Sequence, residues 1–242
     1  MMQEIEIKTG VIRPIECAKE AFDLIKSDYW LLFAIWIVGG LIGGVSIFIA
    51  SGAMTCGTFY CYLRKIDGHP VKFDDLWKGM QWFLPGLIVM LIIVLPMLVV
   101  YALIYVPVIL AGVMGGKLSQ DELMGLLIGA FAIDLILIVI MVCVHTLLIF
   151  SFPLIVDHNL GAVKAMTTSA RAVFKNLGGV AGLIGVNFVL IMGGYLALCV
   201  GVYLVIPIII AANIVAYRKV FPKVDDPRFD PFSPDMYAGG NT

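Results

Sequence analysis

Charge is scarce in this chain, and it is withheld from long stretches altogether. Of the 242 residues 14% are Asp, Glu, Lys or Arg and 61% are apolar, whereas about a quarter of a water-soluble domain is charged. That shortage excludes a globule covered by water on every side. Three stretches, 29–63, 79–116 and 176–217, hold no charged residue, and a fourth, 123–156, holds only Asp134. A net charge of −1 leaves no basic excess for nucleic acid. The five cysteines, at 17, 56, 61, 143 and 199, form no CxxC pair and no metal-ligand spacing, so they read as packing thiols and no metal or cofactor is expected. Charges run through the first 27 residues into the first apolar stretch with no small-residue cleavage site, so that stretch reads as a retained span.

Long oily runs are what the chain has instead. A bilayer core about 30 Å thick takes about 20 apolar residues per helical crossing. A run such as Leu87 to Val106 is apolar on every face, which fits a helix in lipid and not the alternating strands of a membrane barrel. One helix over 29–63 would be about 52 Å long, so a hairpin is expected there, turning near Gly43, Gly44 and Ser46 or near Ser51 and Gly52. The stretch 176–217 divides similarly at Gly193-Gly194. With 83–114 and 122–156 as single spans joined outside through Gly115-Gly116-Lys117, the count is six. This path leaves every Lys and Arg but Lys117 on the cytoplasmic side, as the positive-inside rule favours. Four long spans would put Arg64, Lys65, Lys72 and Lys78 outside. Eight spans, with the middle stretches folded as hairpins around Pro96, Pro107 and Pro153, obey the charge rule equally well.

A short segment of helical apolar spacing precedes each hairpin, so the chain reads as three copies of one unit, 14–66, 71–156 and 160–221. The first sets Ile15, Ala18, Phe22 and Ile25 against Glu16, Lys19, Glu20, Asp23 and Lys26. The second sets Phe73, Leu76, Trp77 and Met80 against Lys72, Asp74, Asp75 and Lys78. The third sets Leu160, Val163, Met166, Ala170 and Val173 against Lys164, Thr167, Thr168, Arg171 and Lys175. Such helices are expected either in the membrane interface or as covers packed under the bundle. Tyr62-Leu63-Arg64-Lys65 and Tyr217-Arg218-Lys219 end the first and third units alike, as Tyr and basic residues do at the headgroup level. Residues 1–13 read as a cytoplasmic lead and 222–242, with four prolines, as a disordered cytoplasmic tail.

Two segments carry a family likeness. One is Gly68-His69-Pro70-Val71-Lys72-Phe73-Asp74-Asp75-Leu76-Trp77-Lys78-Gly79-Met80. The other is Pro153-Leu154-Ile155-Val156-Asp157-His158-Asn159-Leu160-Gly161-Ala162, continuing through Ala165-Met166 and Ser169 to Asn176, with Pro207 and Tyr217 downstream. With them, residues 14–221 resemble uncharacterised bacterial six-span membrane proteins related to the membrane domain of some glycerophosphodiester phosphodiesterases. The resemblance implies a topology and no agreed activity. Lys72 departs from its pattern, which places Ser or Thr there to cap the helix.

Asp134 is the one acid deep in an apolar run, where a charge costs about 3 kcal/mol or more. His145 lies eleven residues on, on the same helical face but about 16 Å along the axis. With Asn187 these form the candidate intramembrane polar site, read either as stations of a proton or cation path or as groups satisfied by neighbouring helices. Asn187 and Asn213 suit an interhelical hydrogen bond. Asn159 is expected to cap the helix that follows it, and the Gly-xxx-Gly spacings 39/43, 40/44, 125/129 and 178/182 to pack helices closely. The expected fold is an all-α polytopic transmembrane helix bundle of six spans with three short amphipathic helices, in the bacterial inner membrane with both termini cytoplasmic. No catalytic constellation appears, so the expected function is a non-enzymatic module binding a protein or lipid partner. The alternative is a small-solute or ion transporter acting as a homo-oligomer.

Overall fold

The computed structural model describes residues 6–113, 119–196 and 200–223; the expected loop at Gly115-Gly116-Lys117, Cys199 and the tail beyond 223 lie outside them. The described residues are all-α. In chain order they form α1 (Pro14–Ile25), α2 (Tyr29–Val45), α3 (Ser51–Ile66), a 3-10 helix (Phe73–Trp82), α4 (Phe83–Val113), α5 (Gln120–Leu147), α6 (Ser151–His158), α7 (Ala162–Lys175), α8 (Leu177–Leu196) and α9 (Val200–Val220). Two compact units result, one from Met1–Val89 with Leu147–Thr242 and one from Met90–Thr146. Four helices, α4, α5, α8 and α9, are each long and apolar enough to cross a membrane. α2 and α3, with 17 and 16 residues, reach about 26 and 24 Å. α4 and α5 run without a break, so neither middle stretch folds into a hairpin.

In the larger unit the core is built around α3, which packs against α2, the 3-10 helix, α6, α9 and α1. Its small residues make that possible. A Cβ on Gly57 would stand 2.0 Å from the Leu76 carbonyl oxygen, and one on Gly79 2.1 Å from the Ala53 carbonyl oxygen. Backbone therefore meets backbone, and only glycine fits. Of the Gly-xxx-Gly pairs, Gly39 and Gly43 do pack against α3, at Thr58 and Ser51, while Gly40, Gly44, Gly125 and Gly129 have open space around them.

The α2–α3 turn falls at 46–50, from Ser46 of the first expected position up to the edge of the second. It carries positive φ at Ile47 (51°) and Phe48 (64°), uncommon for a β-branched residue. Side-chain hydroxyls hold it: Ser46 Oγ donates to Gly43 O and accepts from Ala50 N, both at 3.0 Å, and Ser51 Oγ donates to Phe48 O at 2.6 Å.

Two segments depart locally from a regular α-helix. The second amphipathic segment is wound as a 3-10 helix, and its buried Leu76, Gly79 and Trp82 recur every three residues, the period at which 3-10 side chains line up. At its start Asp75 Oδ2 accepts from the Lys72 backbone N–H at 2.9 Å, the half of a capping box that does not involve a hydroxyl at 72. The single span expected over 122–156 corresponds to one candidate crossing, Gln120–His158, with a turn at 148–150 that divides it into α5 and α6. Pro153 has no N–H to offer the carbonyl four residues back, so α6 restarts with the proline in its first turn. Ser169 of α7 fills the gap, its hydroxyl accepting from Phe150 N (3.1 Å) and donating to Leu147 O (2.7 Å).

Candidate functional site

The densest polar arrangement joins the ends of α3, α6 and α9. Asp67 follows the last turn of α3, Asp157 lies in α6 and Arg218 in α9. The Arg218 guanidinium donates to both oxygens of Asp67, from Nε at 2.9 Å and Nη2 at 2.6 Å. It also donates to both oxygens of Asp157, from Nη1 at 2.5 Å and Nη2 at 2.8 Å. Tyr217 Oη adds a bond to Asp157 Oδ2 at 2.7 Å. The side chains of Arg218, Asp67 and Asp157 are only 12, 8 and 7% exposed. Planar bidentate pairing of this kind is what a guanidinium does best, and it leaves little donor capacity for a substrate. The arrangement clamps three helices.

Tyr217 and Tyr62 are fully buried, so the two Tyr and basic endings are not headgroup anchors as the sequence suggested. Their rings are core, and Arg218 is turned inward by the two carboxylates. Asn159 is likewise reassigned. It ends α6 in the left-handed region, at φ 49°, a conformation Asn tolerates, and its Oδ1 accepts from Trp82 Nε1 at 3.0 Å. Gly161, not Asn159, precedes α7.

Further polar contacts surround the clamp. Asn176 Nδ2 donates to Lys8 O (3.0 Å) and Ala172 O (3.1 Å), and its Oδ1 accepts from Gly10 N (2.8 Å). Lys8 N–H reaches Val220 O at 3.0 Å, so the segment before α1 is sewn to α7 and α9. Lys219 pairs with Glu20 of α1 at 2.8 Å. Between α1 and α2, Asp28 accepts from Lys65 Nζ, and that hydrogen bond holds its carboxyl below the usual range. Burial pushes the Cys17 thiol of α1 up.

The three expected site residues are divided between the two units. Asn187 lies in the larger unit and donates from Nδ2 to Asn213 Oδ1 at 3.0 Å, the interhelical bond foreseen, while its own Oδ1 has no partner among the described residues. Asp134 and His145 lie in the smaller unit. Asp134 Oδ2 accepts from Tyr105 Oη of α4 at 2.7 Å. His145 is exposed, three turns away on α5. Among the described residues no group of three His, Cys, Asp or Glu is placed to hold a metal ion. No family model, curated protein or solved structure matches the chain.

Proposed function

We propose that the chain is a non-enzymatic multi-pass module of a bacterial inner membrane, with both termini cytoplasmic, that binds a partner transmembrane helix through α4 and α5. Asp134 carries this reading. In α5, none of the most apolar 18-residue window is buried, and in α4 12% of it is. An acid in such surroundings is costly, yet among the described residues Asp134 has a single hydrogen bond, from Tyr105. Polar groups in apolar helices are common at helix–helix contacts, so a partner helix with a mid-span donor suits the other carboxylate oxygen. The clamp supports a platform role because it spends its charges internally. The topology follows the distribution of Lys and Arg.

A photo-crosslinking residue at Leu135 or Ile138, activated in native membranes, is expected to give a discrete protein adduct that Asp134→Leu weakens. Lipid adducts alone would overturn the proposal. If Asp134→Asn or His145→Ala altered a proton-linked flux in proteoliposomes, the chain would be a transporter instead.

A further inference from the structure

We infer that α7 is a docking face for anionic phospholipid headgroups, a role that the other two amphipathic segments do not share. This goes beyond the partner-helix reading, since it concerns a different unit and a different ligand.

The three segments differ in charge. α7 carries Lys164, Arg171 and Lys175 and no acid. α1 with its following Lys26 has three acids against two lysines, and the 3-10 helix has two acids against one lysine. Cations near those two segments are largely matched, as in Lys26 with Asp23, Lys78 with Asp75 and Lys219 with Glu20. The three cations of α7 are exposed and make no ion pair among the described residues.

Burial divides α7 into three sectors. Its inward face is mostly small, Ala162, Ala165, Ser169 and Ala172 with Val173 the one larger apolar residue, so the helix sits close on its neighbours while Val163 and Phe174 stay outside. Val163 and Phe174 are 67 and 68% exposed. At 100° per residue they fall within about 20° of each other, and Lys164, Arg171 and Lys175 lie within about 40° of one another on the flank, some 60 to 120° round. An apolar strip flanked by cations is how a helix lies in an interface, side chains among acyl chains and charges among phosphates. Chain length keeps α7 there, since it starts four residues after α6 ends and stops two residues before α8, a membrane-crossing helix, begins.

A cation at a headgroup surface favours anionic lipid by roughly fivefold at most. Reconstituted full-length protein, probed by the motionally restricted fraction of spin-labelled phosphatidylglycerol against spin-labelled phosphatidylcholine, is expected to prefer phosphatidylglycerol several-fold. The preference is expected to fall in about 1 M salt, where the screening length shrinks to about 3 Å. The triple variant Lys164→Gln, Arg171→Gln, Lys175→Gln is expected to lose most of it. The charge-keeping variant Lys164→Arg, Arg171→Lys, Lys175→Arg is expected to retain it at an equal thermal midpoint. An unselective wild type, a neutralised variant that keeps full selectivity, or a charge-keeping variant that loses it while folded would each overturn the inference. None of these outcomes bears on whether α4 and α5 bind a protein.

Discussion

Replacing Arg218 by Ala strips two carboxylates of their counter-charge at once. Asp67 and Asp157 are 8 and 7% exposed, so water cannot easily replace the four guanidinium hydrogen bonds. Breaking a buried ion pair by removing one partner costs about 3–5 kcal/mol. For a chain of this size that corresponds to a fall of about 10 °C or more in the unfolding midpoint. The buried thiols of Cys17, Cys56 and Cys61 supply the assay, because a maleimide dye that fluoresces on reaction reports their exposure as the detergent-solubilised protein is heated. Cys143 is exposed and is best replaced by Ser beforehand. The triple variant Arg218→Met, Asp67→Asn, Asp157→Asn removes all three charges together and is expected to recover a large part of the loss, since the penalty lies in the orphaned carboxylates. A shift below about 2 °C for Arg218→Ala would refute the reasoning, and so would a triple variant no better than the single one.

Three other outcomes follow from the packing. Gly57→Ala is expected to cost at least about 1–3 kcal/mol, because its Cβ would sit 2.0 Å from the Leu76 carbonyl oxygen, whereas Gly44→Ala, with nothing within 4 Å, is expected to be neutral; thermal midpoints of the two decide it. Ser169→Ala leaves Phe150 N–H and Leu147 C=O without their partner, a loss of about 1–3 kcal/mol, and hydrogen exchange is expected to quicken around residue 150. Asp28 has its carboxyl held down by Lys65, so its contribution is complete above the unfolded carboxylate range, near 4, and is lost as pH falls through the lowered folded value. The midpoint advantage of wild type over Asp28→Asn is therefore expected to hold at neutral pH and to vanish on strong acidification.

Helix positions were legible because hydrophobic run length and periodicity are local. Pro14 opened α1, the apolar runs located α2 to α5, and Asn187 with Asn213 announced their bond as polar residues in adjoining oily segments. The misreadings arose where a partner distant in sequence decides the outcome. Tyr217-Arg218 looked like an interfacial ending because Tyr and Arg favour that level, and only the folded chain shows Asp67 and Asp157 drawing the arginine inward. Asp67 and Asp157 themselves carried one visible signal, being acids at the ends of long apolar runs. Gly57 and Gly79 were passed over because no four-residue spacing links them; their importance comes from each other's backbone. The break before α6 was readable at Pro153, but not that a serine twenty residues on would heal it.

The clamp also imposes an order in time on the helices it joins. Asp67 and Asp157 leave the ribosome well before Arg218, the last of the three to be synthesised, so during biogenesis their helices wait with two carboxylates and no counter-ion. A product cut short before position 218 would keep α4, α5, α8 and most of α9 and still lack their fastener. Such fragments are expected to be degraded faster than chains that carry Arg218.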